Sequence, residues 1–203
     1  RQPIFNKDLD VYAYELLFRL DSDSKSFGAI DSKKATATVI QGIFESGIQK
    51  IVEDKKAFIN FDENLIYSDV INLISNKKLV IELLENIELE DKLNKRIIQL
   101  QKKGYKIALD DFVEDYDKYP LVKNADIIKY DLFETPLDEL VDTIKKPLRD
   151  NKIILAEKIE TKEEFIKAKK MGFHLFQGYF FNKPEIVDQV KKKRTIKAQY
   201  ISI

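Results

Sequence analysis

Short apolar runs that stop on a polar side chain recur down this chain, and between them lie segments whose apolar residues fall every three or four positions. The runs are Gln2–Phe5, Val11–Phe18, Ala57–Phe61, Leu79–Leu84, Lys106-Ile-Ala-Leu-Asp-Asp-Phe112, Ile127–Tyr130, Ile153–Ala156 and Leu175–Phe181. Between them, Val39, Ile40, Ile43, Phe44 and Ile48 share one helical face, as do Leu89, Leu93, Ile97 and Leu100. Thr161-Lys-Glu-Glu164 has the spacing of a capping box and opens a helix through Phe165, Ala168 and Met171. Asp62 suits a helix N-cap, Gly47 and Gly104 suit helix stops, and Pro184 suits the start of a final helix. The first two runs are joined by the turn Asn6–Asp10 and predict an antiparallel hairpin. The rest alternate strand and helix, except between Asp111 and Ile127, which is too short and irregular for a helix. Alternation of this kind predicts right-handed βα units around a parallel sheet. With about eight strands the economical closure is an α/β barrel of the (β/α)8 TIM-like type, whose working face lies at the carboxyl ends of the strands.

The polar residues inside those runs are Glu15, Asn60, Glu82, Asp110, Asp111, Lys129, Glu157 and Gln177. Aspartate is a poor strand former and a buried carboxylate needs a partner, so strand stability does not account for Asp110 and Asp111 at the end of β-structure. Coming from different strands, these residues converge on one barrel mouth. Several carboxylates and an amide oxygen form a hard-oxygen set suited to Mg²⁺, Mn²⁺ or Ca²⁺. The count fits two cations better than one, and paired cations about 3.5–4 Å apart suit metal-assisted phosphodiester hydrolysis. A lysine beside them could orient the nucleophile or offset developing charge. A set of ion-paired residues lining a barrel mouth would account for the same positions without any metal.

Composition narrows the alternatives. The 203 residues fit one domain, 44% hydrophobic and 34% charged, with 35 acidic and 35 basic side chains. Zero net charge argues against coating DNA or RNA or binding a membrane surface. No cysteine is present, which removes disulfides, thiolate chemistry and Cys-type zinc sites and fits a reducing cytoplasm. No apolar stretch approaches the roughly 20 residues of a membrane span.

Taken together and in order, Arg1-Gln-Pro-Ile4, Tyr14-Glu-Leu-Leu-Phe-Arg19, Asn60, Glu82-Leu-Leu-Glu85, Asp110-Asp-Phe112, Ile128-Lys-Tyr-Asp131, Ala156-Glu-Lys-Ile-Glu160 and Gln177-Gly-Tyr-Phe-Phe-Asn-Lys-Pro184 resemble the motifs of the EAL domain. The resemblance covers residues 1–184 and is closest to the EAL half of bacterial EAL-HDOD signalling proteins, where Tyr-Glu-Leu-Leu replaces Glu-Ala-Leu. It implies a cytoplasmic bacterial phosphodiesterase that hydrolyses the second messenger cyclic di-GMP to linear pGpG with Mg²⁺ or Mn²⁺, Ca²⁺ being inhibitory. It also implies a homodimer, and a C-terminal helix and tail over residues 185–203 leading into an HDOD domain. By the same resemblance Glu15, Asn60, Glu82 and Asp110 hold one metal, and Asp110, Asp111 and Glu157 the second. Lys129 orients the attacking water, and Gln177 supports it or the phosphate. Gln2 and Arg19 contact the phosphate and sugar, Leu17 meets a base, and Asp131 and Glu160 lie near a guanine or order the site. Glu85 braces the loop after the paired aspartates.

Two departures from the family pattern stand in that loop. It reads Val113-Glu-Asp-Tyr-Asp-Lys-Tyr119, without the usual glycine and serine, and Leu84 replaces the threonine before Glu85. The expectation is a sound first metal site and a looser second one. An active hydrolase, a cyclic di-GMP sensor without turnover, and a protein-interaction module all remain open at this point. His174, the single histidine, is read as a structural or surface residue, and the basic stretch from Lys191 to Lys197 as a solvated face.

Overall fold

The computed structural model describes residues 1–17, 47–84, 87 and 90–186. Arg19, Glu85, most of the helical face running from Val39, the 185–203 helix beyond residue 186 and the basic tail therefore lie outside the described residues. Eight strands close into a barrel in sequence order: β1 (Gln2–Asn6), β2 (Val11–Glu15), β3 (Lys56–Phe61), β4 (Leu79–Leu83), β5 (Lys106–Leu109), β6 (Ile127–Asp131), β7 (Ile153–Glu157) and β8 (Leu175–Phe176). β1 runs antiparallel to both of its neighbours, β2 and β8, and every other pairing is parallel. This is the expected TIM-like barrel with its opening hairpin.

Side chains on a strand alternate between faces, so a barrel sorts each strand into an inner and an outer set. Ile4, Ala13, Phe58, Val80, Ala108, Ile127, Leu155 and Leu175, one from each strand, pack together as a dry plug inside the barrel. The opposite parity, including Ile59, Phe61, Ile81, Leu83, Ile107, Leu109, Ile128, Tyr130 and Ile154, packs outward into the core beneath the helices. Burial on both faces explains why β4 and β6 are buried at every position.

The helices follow their local signals. Asp62 caps the helix Glu63–Tyr67, accepting the Leu65 N–H at 2.9 Å. The helix Asp91–Lys102 buries Leu93, Ile97 and Leu100, and Gly104 beyond it takes φ +88. Thr161 and Glu164 form the reciprocal capping box of the helix Lys162–Met171, which ends at Gly172 with φ +107. No helix among the described residues is long and apolar enough to cross a membrane.

Several boundaries differ from expectation. β2 ends at Glu15 and not Phe18, although the Leu16 N–H still bonds the Phe58 carbonyl at 2.9 Å. β8 is two residues long, because Gly178 at φ +156 turns the chain away before Phe181. Residues 184–186 are not helical. Gly47, at φ +73, precedes a short helix, Ile48–Val52, and the helix it was expected to stop lies outside the described residues. Sequence periodicity gave no sign of the short helices Leu140–Thr143 and Lys145–Arg149, since each spans too few residues for a period to register and Pro147 interrupts the pattern.

Candidate functional site

The polar centre follows from the parity of the apolar plug. Two residues beyond Ala13, Phe58, Val80, Ala108, Ile127, Leu155 and Leu175, toward the carboxyl ends, stand Glu15, Asn60, Glu82, Asp110, Lys129, Glu157 and Gln177. On the reversed strand β1 the corresponding position lies two residues before Ile4, at Gln2. A single two-residue step thus brings eight candidates from eight strands to one level. Asp111 breaks the alternation, and its backbone stands at φ +38.

Lys129 occupies the middle of this layer, 1% exposed. Its Nζ lies 2.5 Å from Asp110 Oδ1, 2.7 Å from Glu82 Oε1, 2.9 Å from Glu157 Oε1 and 3.7 Å from Glu15 Oε1. Gln177 Nε2 donates to Glu15 Oε2 at 2.6 Å. Carboxylate oxygens of Asp110, Asp111 and Glu157 lie within 4.8 Å of one another. The carboxylates of the set expected to be looser are thus within reach of one another, while Glu15, Glu82 and Asp110 of the other set gather around the Lys129 ammonium.

The charges do not balance. Five carboxylates, Glu15, Glu82, Asp110, Asp111 and Glu157, share this mouth with the ammonium of Lys129. Burial holds Glu82 well above the usual carboxylate range despite Lys129. Burial likewise raises Glu157 to about 8, and burial together with the neighbouring Asp110 raises Asp111 to about 6. Desolvation pulls Lys129 down, but Glu157, Glu82, Glu15 and Asp110 outweigh it, and the ammonium stays protonated well above its ordinary value. Buried oxygens are also left over. Asn60 Oδ1, Glu82 Oε2 and Gln177 Oε1 have no hydrogen-bond partner, and Glu82 Oε1 is close to Lys129 without hydrogen-bond alignment. Simple ion pairing would leave neither a surplus of negative charge nor orphaned acceptors. Hard divalent cations would use both, so the residues present fit them.

The remaining candidates are spread around the rim. Gln2 is buried and donates through Nε2 to the Asn182 carbonyl at 3.4 Å. Leu17 is 41% exposed just beyond β2. Glu160 is exposed, and its backbone N–H donates to Glu164 Oε2. Asp131 is buried with both oxygens engaged, Oδ1 by the Phe133 N–H at 2.8 Å and Oδ2 by the ammonium of Lys158. The loop after Asp111 has its own tethers in place of glycine and serine. The Phe112 N–H bonds the Lys129 carbonyl at 3.0 Å, Tyr119 meets Phe112 edge-on, Tyr116 donates to Asp150 Oδ2 at 2.8 Å, and Asp117 pairs with Lys146. Spacing did not single out Lys158 or Asn182. For Lys158 the available signal was a cation immediately after the Glu157 that ends β7.

The chain is similar to proteins of known family. It is 41% identical over 193 residues to the uncharacterized protein YuxH of Bacillus subtilis, covering 92% of this chain and 47% of that one. It is 33% identical over 193 residues to the cyclic di-GMP phosphodiesterase CdgJ of Vibrio cholerae, covering 93% and 44%. The chain thus spans about half the length of these curated relatives. Among solved structures, Bacillus subtilis YkuI, a protein with an EAL domain in complex with cyclic di-GMP and calcium, shares the fold with a TM-score of 0.74 at 23% identity, covering 98% of this chain and 57% of that one. The EAL domain family model matches residues 2–184, and the chain belongs to that family.

Proposed function

We propose that this domain hydrolyses cyclic di-GMP to linear pGpG. The observation that carries the reading is the surplus of buried carboxylate and amide oxygens around Lys129, on a fold shared with a protein bound to cyclic di-GMP. Glu15, Asn60, Glu82 and Asp110 would hold one Mg²⁺ or Mn²⁺, and Asp110, Asp111 and Glu157 a second. Bound there, such cations supply a nucleophilic water at neutral pH and charge stabilisation for the phosphoryl oxygens.

The chain's own groups supply orientation. With its carboxylate partners committed to ligation, Lys129 turns its three N–H donors to the attacking water and a phosphoryl oxygen. Gln177 fixes Glu15 through Nε2, while its orphaned Oε1 is an acceptor for that water. The plug from Ile4 to Leu175 closes the barrel beneath and keeps bulk water from the charged layer. Gln2, Arg19 and Leu17 are proposed to grip the phosphate, sugar and base, with Glu160 near a guanine and Glu85 bracing the loop. The tethers on residues 112–119 and the closeness of Asp110, Asp111 and Glu157 favour turnover over a sensor that only binds. We place the protein in the bacterial cytoplasm, where cyclic di-GMP is made.

The test is incubation of the purified chain with cyclic di-GMP and Mg²⁺ or Mn²⁺, with chromatography for pGpG and Glu15→Ala alongside. Linear product that vanishes in the variant is expected. Tight binding without product would replace the hydrolase by a sensor. Neither binding nor product would leave a protein-interaction module.

A further inference from the structure

We infer that Lys158 is a positioning residue for the second cation site, holding Asp131 in place and fixing the turn that directly follows Glu157. This rests on the two-cation reading above. Asp131 and Glu157 are paired residues on the adjacent strands β6 and β7, so two carboxylates stand abreast at the mouth. Asp131 is 3% exposed, and the ammonium of Lys158 is its ionic partner. A buried carboxylate without such a partner would repel Glu157 and Asp111 or draw a cation out of place.

The backbone is shaped for this contact. In continued extended chain, Lys158 would alternate to the face opposite Glu157. Instead it adopts φ +56, an uncommon setting for a residue with a Cβ, and its ammonium reaches across to β6. The other side of the same loop is clamped by backbone. The Ile159 N–H bonds the Gln177 carbonyl and the Phe180 N–H bonds the Ile159 carbonyl, both at 3.0 Å. Gly178 packs so closely there that a Cβ would fall 2.1 Å from the Ile159 oxygen. The residues after Glu157 thus run between a backbone clamp toward β8 and the Lys158–Asp131 pair toward β6, beside the direct contact of Glu157 with Lys129. Half of the Lys158 side chain remains exposed, so the pair can be altered without opening the core.

The experiment is Mn²⁺ titration of the 203-residue chain followed by electron paramagnetic resonance, with thermal unfolding of each variant as a check on folding. Lys158→Gly tolerates φ +56 and removes the side chain with its ammonium, and Lys158→Arg controls for the lost stem. Two Mn²⁺ are expected to bind the wild type, and one of them about 10- to 100-fold more weakly in Lys158→Gly, the size expected when a group supporting a metal ligand is lost. Lys158→Arg restores the pair and the affinity, and Asp131→Asn combined with Lys158→Gly recovers it by removing the stranded charge. Unchanged affinity in Lys158→Gly, an Arg variant as weak as the Gly variant, or no recovery in the double variant overturns the inference. So does a wild type with fewer than two sites. Cyclic di-GMP turnover, followed separately, distinguishes failure of the hydrolase reading, because a wild type that holds two Mn²⁺ but forms no pGpG fails there while the titration still decides Lys158.

Discussion

Two layers of the barrel interior, two residues apart on the same strands, obey opposite rules. The lower layer, Ile4, Ala13, Phe58, Val80, Ala108, Ile127, Leu155 and Leu175, is apolar and closely packed, and its members gain free energy by leaving water. The upper layer places Glu15, Glu82, Asp110 and Glu157 around Lys129 and leaves Asn60, Glu82 and Gln177 with orphaned oxygens. Only the lower layer is optimised for stability. The upper layer costs stability in the isolated chain, and that cost is what a ligand can recover on binding.

The sharpest way to break this contrast is at Lys129. Lys129→Met removes the ammonium but keeps much of the volume, leaving the carboxylates facing one another. Turnover of cyclic di-GMP should fall at least about 100-fold with loss of the positioned donor. Metal-free stability in urea should drop by about 3–5 kcal/mol, as for a broken buried ion pair, and Mn²⁺ should restore much of it. Phe58→Ala in the lower layer should cost about 3–5 kcal/mol as well, but equally with Mn²⁺ or EDTA, because a cavity has no use for a cation. If both variants respond alike to metal, the two layers are not distinct.

Glu82→Gln tests the sign. Because burial raises Glu82, its charged form opposes folding, and the neutral isostere should stabilise the metal-free chain by about 1 kcal/mol while weakening Mn²⁺ binding. A loss of metal-free stability would show that Glu82 is needed for its pairing with Lys129 rather than held at a cost.

Acidity should separate the two ends of the barrel with the smallest effects. At the mouth, Glu157 is raised from about 4.5 to about 8, so its contribution to the metal-free fold is full below 4.5 and is lost as pH rises toward 8. At the opposite end His174 Nδ1 accepts the Ile154 N–H at 3.2 Å, and burial lowers its value from 6.5. That contribution is present above 6.5 and is lost as pH falls through the depressed value. Thermal unfolding in EDTA should show the alkaline loss flattened by Glu157→Gln and the acid loss flattened by His174→Gln. If Glu157→Gln leaves the alkaline limb unchanged, the carboxylate is not the group being held neutral.

Much of this was legible because the two periods that govern a barrel are written in the residues. The alternation of β-runs and amphipathic segments gives the barrel, and the polar residues ending those runs give the upper layer. The parity rule explains the success. Glu15, Asn60, Glu82, Asp110, Lys129, Glu157 and Gln177 each stand two positions beyond a plug residue, so any polar residue found there must face inward. What stayed hidden depends on single torsions and long-range pairing. Gly178 ends β8 through a close approach to Ile159, which lies 19 positions earlier and carries no local mark of the contact. Nothing local in the sequence marks that the Asp131 oxygens meet Lys158 and the Phe133 N–H. The replaced loop residues Val113–Tyr119 follow no family pattern, and only the fold shows Tyr116 and Asp117 anchoring the loop to Asp150 and Lys146. A motif lists what a family uses in one way, and this chain ties down the same loop in another.

The reversal of β1 sets how the barrel can be wired to anything else. In an all-parallel barrel the first strand starts at the face away from the working rim. Here β1 is antiparallel, and Gln2 begins it at the level of Glu15 and Gln177, with the Arg1 carbonyl bonded to the Glu185 N–H. Whatever is joined upstream of Arg1 is therefore delivered beside the mouth, where an affinity tag would crowd the charged layer and a fused reporter would sense what happens there.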